Sequence, residues 1–316
     1  MTGNSVQWGL AIENFTPYPQ QPEVRKILAY AERAEALGFE SLWAWDHILL
    51  GSRRPYPLLE SLTTFAAIAA RTSRIKLGTG ILVPSLRNPV VLAKVTATLD
   101  QISNGRLILG LAAGWYEREF KACAVPFKER GKIFVQNLQI LRKLWTEESL
   151  KETIGPHVFE YAAMLPKPVQ KPGPPILIGG YVDTVLKRVA KYGDGWLTYF
   201  YTAESYARSF ARVQGFAREM GRDPAELTSM NQLPILVGKS YEECDRLVKE
   251  YVHGWFDIPP WSECTPECSI RGTVQQCVEQ LRKHVEAGVK RMCLVPYLYQ
   301  PEQVEIIAKE IIPQFS

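Results

Sequence analysis

Short apolar runs rich in β-branched residues alternate with longer amphipathic stretches along the chain, about eight times in all. Such runs are typical of buried strands, and the amphipathic stretches are typical of helices that cover them. Because the two alternate, the pattern predicts parallel strands joined by crossover helices. The strand candidates are Gln7–Ile12, Ser41–Trp45, Ile75–Val83, Leu107–Ala112, Ile176–Gly179, Trp196–Phe200, Leu233–Val237 and Met292–Tyr297.

The helical stretches lie between these runs, and their ends carry residues typical of helix termini. Gly38 follows the first long helix as a C-cap, and Pro22 and Pro89 stand where a helix accepts proline. The helical candidates are Pro22–Leu37, Leu59–Arg71, Pro89–Ile102, Arg130–Trp145, Val182–Tyr192, Ala203–Met220, Tyr241–Tyr251 with Val274–Ala287, and Glu302–Ile312.

Eight strand and helix units predict a closed (β/α)8 barrel of the TIM type, an α/β fold formed by residues 1–316 as one domain. The alternative is an open doubly wound sheet. That fold usually carries a G-x-G-x-x-G fingerprint, and Gly78-Thr79-Gly80 lacks the third glycine. Two stretches, near 148–174 and 253–272, exceed an ordinary connection, so we expect them to be insertions that extend from the barrel.

The composition narrows the possible functions by exclusion. With 46% hydrophobic residues spread over 316 positions, the chain can bury a large core. Its net charge of +4 comes without any basic run, which argues against a nucleic-acid partner. No segment approaches the roughly 20 apolar residues that cross a bilayer, and the start lacks signal-peptide features. We therefore expect a cytoplasmic protein with no nucleic acid and no membrane as partner.

Cysteine usage points to neither a disulfide framework nor a metal centre. Six cysteines in so long a chain are too sparse for a disulfide scaffold. Only Cys264, Cys268 and Cys277 cluster, and they lack the second ligand pair or the histidines that a zinc site normally offers. We predict no metal site, and the role of this cluster stays open.

The end of the second strand candidate carries Asp46-His47. Active sites of (β/α)8 barrels lie at the C-terminal ends of the strands, so this pair is a candidate for catalysis. Histidine changes its charge near neutral pH, and an adjacent carboxylate can hold or orient it. The alternative is an Asp that caps a helix beside a histidine bound to a backbone carbonyl. The residues alone leave both interpretations open.

Glycines mark two further strand ends. The third candidate ends in Gly78-Thr79-Gly80, where the backbone can approach a flat ligand closely or simply form a β-bulge. The fifth ends in Gly179-Gly180 and leads to Thr184 at the opening of a helix. This arrangement offers backbone N–H groups and a hydroxyl to an anion, which indicates a phosphate site. Two glycines are also ordinary in a loop.

Taken together, these segments resemble the luciferase-like superfamily of flavin- and deazaflavin-dependent oxidoreductases. The resemblance runs in family order from residue 8 to about residue 200, and it implies a barrel whose strand ends carry a redox cofactor ring. The matching stretches are Ala34–Trp43 with Asp46-His47, Leu77–Pro84, Asn88–Lys94, Thr98–Leu107, Gly110–Phe120, Pro175–Gly180 and Gly193–Trp196.

The resemblance also assigns roles to individual positions. It implies a non-prolyl cis peptide between Gly80 and Ile81, in a bulge beneath the cofactor. It places the phosphate-binding turn at Gly179 and Gly180 with Thr184. The pair that faces the redox ring maps onto His47 and its neighbour Asp46.

Ala113 departs from the luciferase subunits, which look to have an arginine near the flavin phosphate at this position. The surrounding sequence, Gly110 to Trp115, more closely resembles that of enzymes that use the deazaflavin coenzyme F420, so we favour F420 over FMN as cofactor. On this view the phosphate end has no evident cation. Arg53, Arg54 and Arg87 are the residues most able to supply one.

The function implied by this resemblance is hydride transfer between F420 and a small, partly apolar organic substrate, with His47 handling a proton. One alternative is a two-component monooxygenase that uses reduced FMN and oxygen. Another is a non-catalytic flavin-binding protein. We further expect a homo-oligomer and a separate reductase that supplies reduced cofactor.

Overall fold

A computed structural model of the chain describes residues 6–51, 54–255 and 266–315. Eight parallel strands form its centre, and each overlaps one of the eight predicted runs. These strands are β1 (Gln7–Ala11), β2 (Ser41–Ala44), β3 (Lys76–Leu82), β4 (Leu107–Leu111), β7 (Ile176–Gly179), β8 (Gly195–Tyr199), β9 (Thr228–Val237) and β11 (Arg291–Pro296). The remaining strands are β5 (Leu150–Ile154), β6 (His157–Ala162) and β10 (Ile270–Gly272).

The central sheet is closed. Strand β1 pairs in parallel with β2 on one side and with β11 on the other, and β9 joins β11 to β8. The order β1-β2-β3-β4-β7-β8-β9-β11 therefore returns to β1. This confirms the (β/α)8 barrel and excludes the open sheet. Because all eight strands run in the same direction, their C-terminal ends meet at one face of the barrel.

Helices connect the strands, and several begin where the sequence carries a capping residue. The Asn88 side chain accepts a hydrogen bond from the Val90 N–H at 2.9 Å, ahead of Pro89. Thr273 and Gln276 form a capping box. The helices are α1 (Val24–Ala36), α2 (Ser61–Ala69), α3 (Pro89–Ile102), α4 (Glu117–Ala122), α5 (Arg130–Thr146), α6 (Asp183–Tyr192), α7 (Ala203–Glu219), α8 (Tyr241–Trp255), α9 (Val274–Glu286) and α10 (Pro301–Ile306).

Trp43 is the largest side chain of a buried cluster that also includes Ile108, Leu177, Leu197 and Met230 of the barrel strands. Trp43 of β2 is buried, and its indole N–H donates to the Ser41 hydroxyl at 2.8 Å. A Cβ atom placed on Gly78 of the adjacent strand β3 would lie 2.5 Å from the Trp43 ring, and one placed on Gly9 of β1 would lie 2.8 Å from its indole nitrogen. The two glycines therefore provide the space that the indole occupies.

The predicted insertion near 148–174 contains an antiparallel hairpin of β5 and β6 outside the barrel. The one near 253–272 ends in β10, which pairs with the end of β9. Most of this second insertion, with Cys264, lies outside the described residues. That the whole chain is one domain stays a prediction.

Two of the three clustered cysteines lie in the described part of the chain. Cys277 is a buried free thiol, and Cys268 is also buried. In the ranges 6–51, 54–255 and 266–315, no group of metal-ligating side chains is placed to hold an ion. Within the same ranges, no helix has the length and apolar character needed to span a bilayer.

His284 gives the fold a predictable sensitivity to acid. It is buried on α9, its Nδ1 atom has no hydrogen-bond partner among the described residues, and burial lowers its pKa to about 4. In the unfolded chain the pKa of histidine is about 6.5, so between these values the unfolded state binds a proton that the folded state does not. The free energy of unfolding therefore falls as the pH drops through this window.

Between pH 7.5 and pH 5, protonation of His284 in the unfolded state should lower the free energy of unfolding of the wild type by about 2 kcal/mol. We expect this part of the pH dependence to be absent in the His284→Gln variant. Urea unfolding curves at the two pH values measure this difference. His157→Gln, on the β5–β6 hairpin, is the matched control. An equal pH dependence in wild type and His284→Gln would contradict the assignment.

Candidate active site

A cavity of about 420 Å³ opens at the C-terminal ends of the barrel strands, where the loops after β2, β3, β4, β7 and β8 meet. Its wall brings together residues that are up to 184 positions apart in sequence, from Phe15 to Tyr199. All eight residues proposed from the sequence line it, although their roles stay predictions. They are Asp46, His47, Gly80, Ile81, Ala113, Gly179, Gly180 and Thr184.

The floor of the cavity includes the irregular end of β3. The register between β3 and β4 shifts between Thr79 and Leu82, and the peptide bond between Gly80 and Ile81 is cis. Both the bulge and the non-prolyl cis bond are therefore confirmed. The Gly80 carbonyl accepts a hydrogen bond from the buried Gln232 side chain at 3.2 Å.

His47 is held by a carboxylate, and that carboxylate belongs to Glu119. The His47 Nδ1 atom lies 3.0 Å from Glu119 Oε2. The other carboxylate oxygen, Oε1, accepts the backbone N–H groups of Ile48 and Leu49. Glu119 belongs to α4, and its side chain is only 1% exposed. The histidine ring is thus fixed by a buried group that is itself fully hydrogen-bonded.

The protonation state of Glu119 determines which nitrogen of His47 is available. Burial alone would raise the pKa of this carboxyl. The hydrogen bond from His47, the charge on that ring and the N–H groups of Leu49 and Ile48 outweigh burial, so the pKa is lowered. An ionised carboxylate only accepts hydrogen bonds, so Nδ1 of His47 must donate. Nε2 is then the atom that can take up or release a proton.

Asp46 does not hold His47, so the expectation that it orients its neighbour is wrong. Its buried carboxylate forms a two-pronged ion pair with Arg87, at 2.7 and 2.9 Å, and accepts the Val83 N–H at 3.0 Å. Arg87 also reaches Glu60 at 3.2 Å. Arg87 thus occupies both carboxylate oxygens of Asp46, whereas Nδ1 of His47 lies against Glu119. Asp46 joins the ends of β2 and β3.

The opposite end of the cavity suits an anion. Gly179, Gly180 and Thr184 line it, and they lie beside the N-terminus of α6, which has no side-chain cap. Backbone N–H groups at such a terminus lack intrahelical partners and attract negative charge. We call this region, together with its neighbouring basic side chains, the anion end.

The anion end carries cations, which corrects the expectation drawn from Ala113. The cavity wall includes Lys128, Arg130 and Arg188. Two of the residues proposed as substitutes do not line the anion end: Arg87 is paired with Asp46, and Arg54 lines a smaller cavity of about 330 Å³. The third, Arg53, lies outside the described residues. The sequence offered no strand-end signal for these side chains, because they project from α5, from α6 and from the segment before α5.

Arg130 and Arg188 are close to each other. Burial, and then the positive charge of Arg130, lower the pKa of the Arg188 guanidinium. Arg130 donates to the carbonyls of Gly114 and Phe127 at 3.1 and 3.0 Å. In the described part of the chain, neither guanidinium forms an ion pair with a carboxylate. Two unneutralised like charges beside a helix N-terminus favour binding of an anion.

The sequence model that matches this chain describes the luciferase-like monooxygenases, and it covers residues 6–263. The chain belongs to this family. The cavity just described therefore lies where a luciferase-like barrel has its strand ends, and the family match includes His47, Glu119 and the anion end.

Curated relatives include enzymes that use F420. The chain is 33% identical over 181 residues to an F420-dependent glucose-6-phosphate dehydrogenase of Amycolatopsis mediterranei (strain U-32), covering 55% of this chain and 53% of that protein. It is 28% identical over 224 residues to an F420-dependent hydroxymycolic acid dehydrogenase of Mycobacterium tuberculosis, covering 69% and 64%. The matched part of the chain thus spans about half to two thirds of these relatives.

Solved structures of luciferase-like enzymes share the fold over nearly the whole chain. An F420-dependent secondary alcohol dehydrogenase in complex with an F420-acetone adduct superposes with a TM-score of 0.83 at 20% identity, covering 99% of both chains. The FMN-bound oxygenating constituent of 3,6-diketocamphane monooxygenase from Pseudomonas putida gives 0.82 at 18%, also covering 99% of both. At these identities the similarity establishes the barrel architecture.

Proposed function

We propose that the chain is an oxidoreductase that transfers a hydride between coenzyme F420 and a small organic substrate. One observation carries the proposal: a single cavity has a carboxylate-held histidine on one wall and two arginines without carboxylate partners, among the described residues, at its anion end. The arginines suit the phosphate of a redox cofactor, and the histidine suits proton transfer to or from a substrate beside it. The F420-dependent relatives support the choice of F420.

The residues present fit such a cofactor. A Cβ atom on Gly179 would displace the end of the Ile81 side chain, and Gly180 adopts a φ of +133°, a conformation that favours glycine. The phosphate would be held by the open N-terminus of α6, the Thr184 hydroxyl and the guanidinium of Arg188. Binding of this anion would also relieve the repulsion between Arg188 and Arg130.

The chemistry of the bound cofactor is to accept or donate a hydride while reacting poorly with oxygen. The chain supplies the proton handling. With Nδ1 donating to Glu119, Nε2 of His47 can accept the hydroxyl proton of a bound alcohol or return it to a carbonyl oxygen. Glu119 stabilises the positive charge on the ring when Nε2 is protonated.

A second candidate function is a monooxygenase that uses reduced FMN and oxygen. It is favoured by the cations at the anion end, which would neutralise the phosphate of FMN equally well. An enzyme of this kind needs a separate reductase, and that partner, like a homo-oligomeric state, stays a prediction. A non-catalytic flavin-binding protein would not require the buried Glu119–His47 pair.

Arg188→Gln should weaken cofactor binding by about ten- to a hundredfold, because a charge-assisted contact contributes roughly 1.5–3 kcal/mol. Equilibrium titration of the protein with F420 and with FMN in the same buffer measures both dissociation constants. Arg208→Gln, at an exposed position on α7, is the matched control. We expect F420 to bind the wild type more tightly than FMN.

Two results would change these assignments. Unchanged cofactor affinity in a folded Arg188→Gln variant would show that the cofactor phosphate does not bind at the anion end. Submicromolar binding of FMN together with no detectable binding of F420 would replace the hydride-transfer function by the monooxygenase function.

A further inference from the structure

The cavity has an apolar region distinct from the anion end. Phe15, Trp45, Leu50, Leu58 and Tyr199 line it, and we call these five residues the aromatic end. The rings of Phe15 and Trp45 meet edge to face, with centroids 5.6 Å apart and planes at 80°. Such a surface offers large apolar area and ring edges and faces against which a flat molecule can pack.

The aromatic end is held rigidly by one buried amide. The Asn14 side chain donates to the carbonyls of Trp45, at 2.7 Å, and of Leu59, at 3.0 Å, and it accepts the Trp45 N–H at 2.9 Å. A β-bridge between Phe15 and Leu58 joins the same segments. The wall therefore exists before a ligand arrives, which lowers the entropic cost of binding one that fits.

Charge is distributed unevenly along the cavity. Among the described lining residues, the basic side chains belong to the anion end, and the acidic side chain of Asp46 is neutralised by Arg87. The aromatic end has no charged side chain among the five residues that define it. Leu50 also lines the smaller cavity, which Arg54 and Arg118 line as well. A phosphate placed against Phe15, Trp45 and Leu58 would lose its hydration without gaining an ion pair with a described residue that lines the larger cavity.

We infer that the aromatic end binds the reacting substrate, and that this substrate is an uncharged, largely apolar alcohol or carbonyl compound containing a ring, not a sugar phosphate. The inference rests on the proposed function, in which the cofactor phosphate occupies the anion end. The proposed substrate therefore differs from the one in the name of the F420-dependent glucose-6-phosphate dehydrogenase to which this chain is similar.

The test uses 2-tetralone, an uncharged bicyclic ketone, and glucose 6-phosphate as probes. Isothermal titration of the full chain with each probe, with and without F420, gives the dissociation constants. We expect 2-tetralone to bind at least about tenfold more tightly than glucose 6-phosphate. Leu58→Arg should weaken 2-tetralone binding by about tenfold or more, because it places a charge in the apolar wall.

Leu165→Arg is the matched control, since Leu165 is 70% exposed and does not line the cavity. Leu50→Arg tests the wall from a different segment if Leu58→Arg fails to fold. Tighter binding of glucose 6-phosphate, or 2-tetralone binding that neither cavity variant weakens, would overturn the inference. The titrations without F420 keep the test independent of the proposed function, which fails separately if F420 itself does not bind.

Discussion

His47→Ala should lower kcat by about 10²- to 10⁴-fold, the range typical of losing a positioned general acid or base. The dissociation constant of the cofactor should change little, because the anion end provides its binding and does not involve His47. The reason lies in the geometry: Glu119 occupies Nδ1 and leaves Nε2 for the substrate proton. Steady-state turnover on a substrate verified with the wild type, together with a cofactor titration, measures the two effects.

Glu119→Gln distinguishes the protonation mechanism from a structural role. The amide keeps the size of the side chain but loses the charge that stabilises a protonated His47 ring, so kcat should fall while the dissociation constant of the cofactor stays unchanged. His157→Ala, remote from the cavity, should leave kcat unchanged. Turnover of His47→Ala within about twofold of the wild type would remove this residue from the mechanism.

Arg87→Met should lower the free energy of unfolding by about 3–5 kcal/mol, because it leaves the carboxylate of Asp46 buried without a counter-ion. The Arg87 guanidinium forms ion pairs with both Asp46 and Glu60, and Asp46 in turn accepts a hydrogen bond from the Val83 N–H just after β3. Chemical denaturation of wild type and variant under the same conditions measures the loss.

Two further variants test whether the unpaired charge of Asp46 causes that loss of stability. Arg33→Met removes an exposed ion pair with Glu305 and should cost less than about 1 kcal/mol. The double variant Asp46→Asn with Arg87→Met should recover part of the stability, since it no longer buries an unpaired charge. A loss below about 1 kcal/mol for Arg87→Met alone would show that water or another cation compensates Asp46.

Most of the fold follows from periodicity, and the exceptions have identifiable causes. The bounds of α3, Pro89–Ile102, were predicted to the residue, because its start carries both an asparagine cap and a proline. Strand β9 begins at Thr228, five residues before the predicted start. Its first half is polar in sequence, yet Asn231 is satisfied inside the barrel by Thr198 and the Tyr201 carbonyl, a pairing that no local pattern indicates.

The candidate site was predicted only where residues at the predicted strand ends indicate it. The strand-end glycines and His47 indicated the cavity, because the barrel brings strand ends together. Glu119 lies 72 residues from His47, on a six-residue helix that the pattern did not predict, so only the fold could bring the two together. Asp46 shows the converse: adjacency in sequence indicated a contact with His47, but its carboxylate pairs with Arg87 instead.

Trp43 and the two glycines that surround it have a consequence for how this barrel can diverge. Because Gly9 and Gly78 lie against the indole, a side chain at either position is compatible only with a smaller residue at 43. The three positions should therefore vary together among descendants of this sequence. A lineage that replaces Trp43 first gains room for new side chains in the barrel interior, whereas one that replaces a glycine first must pass through an overpacked intermediate.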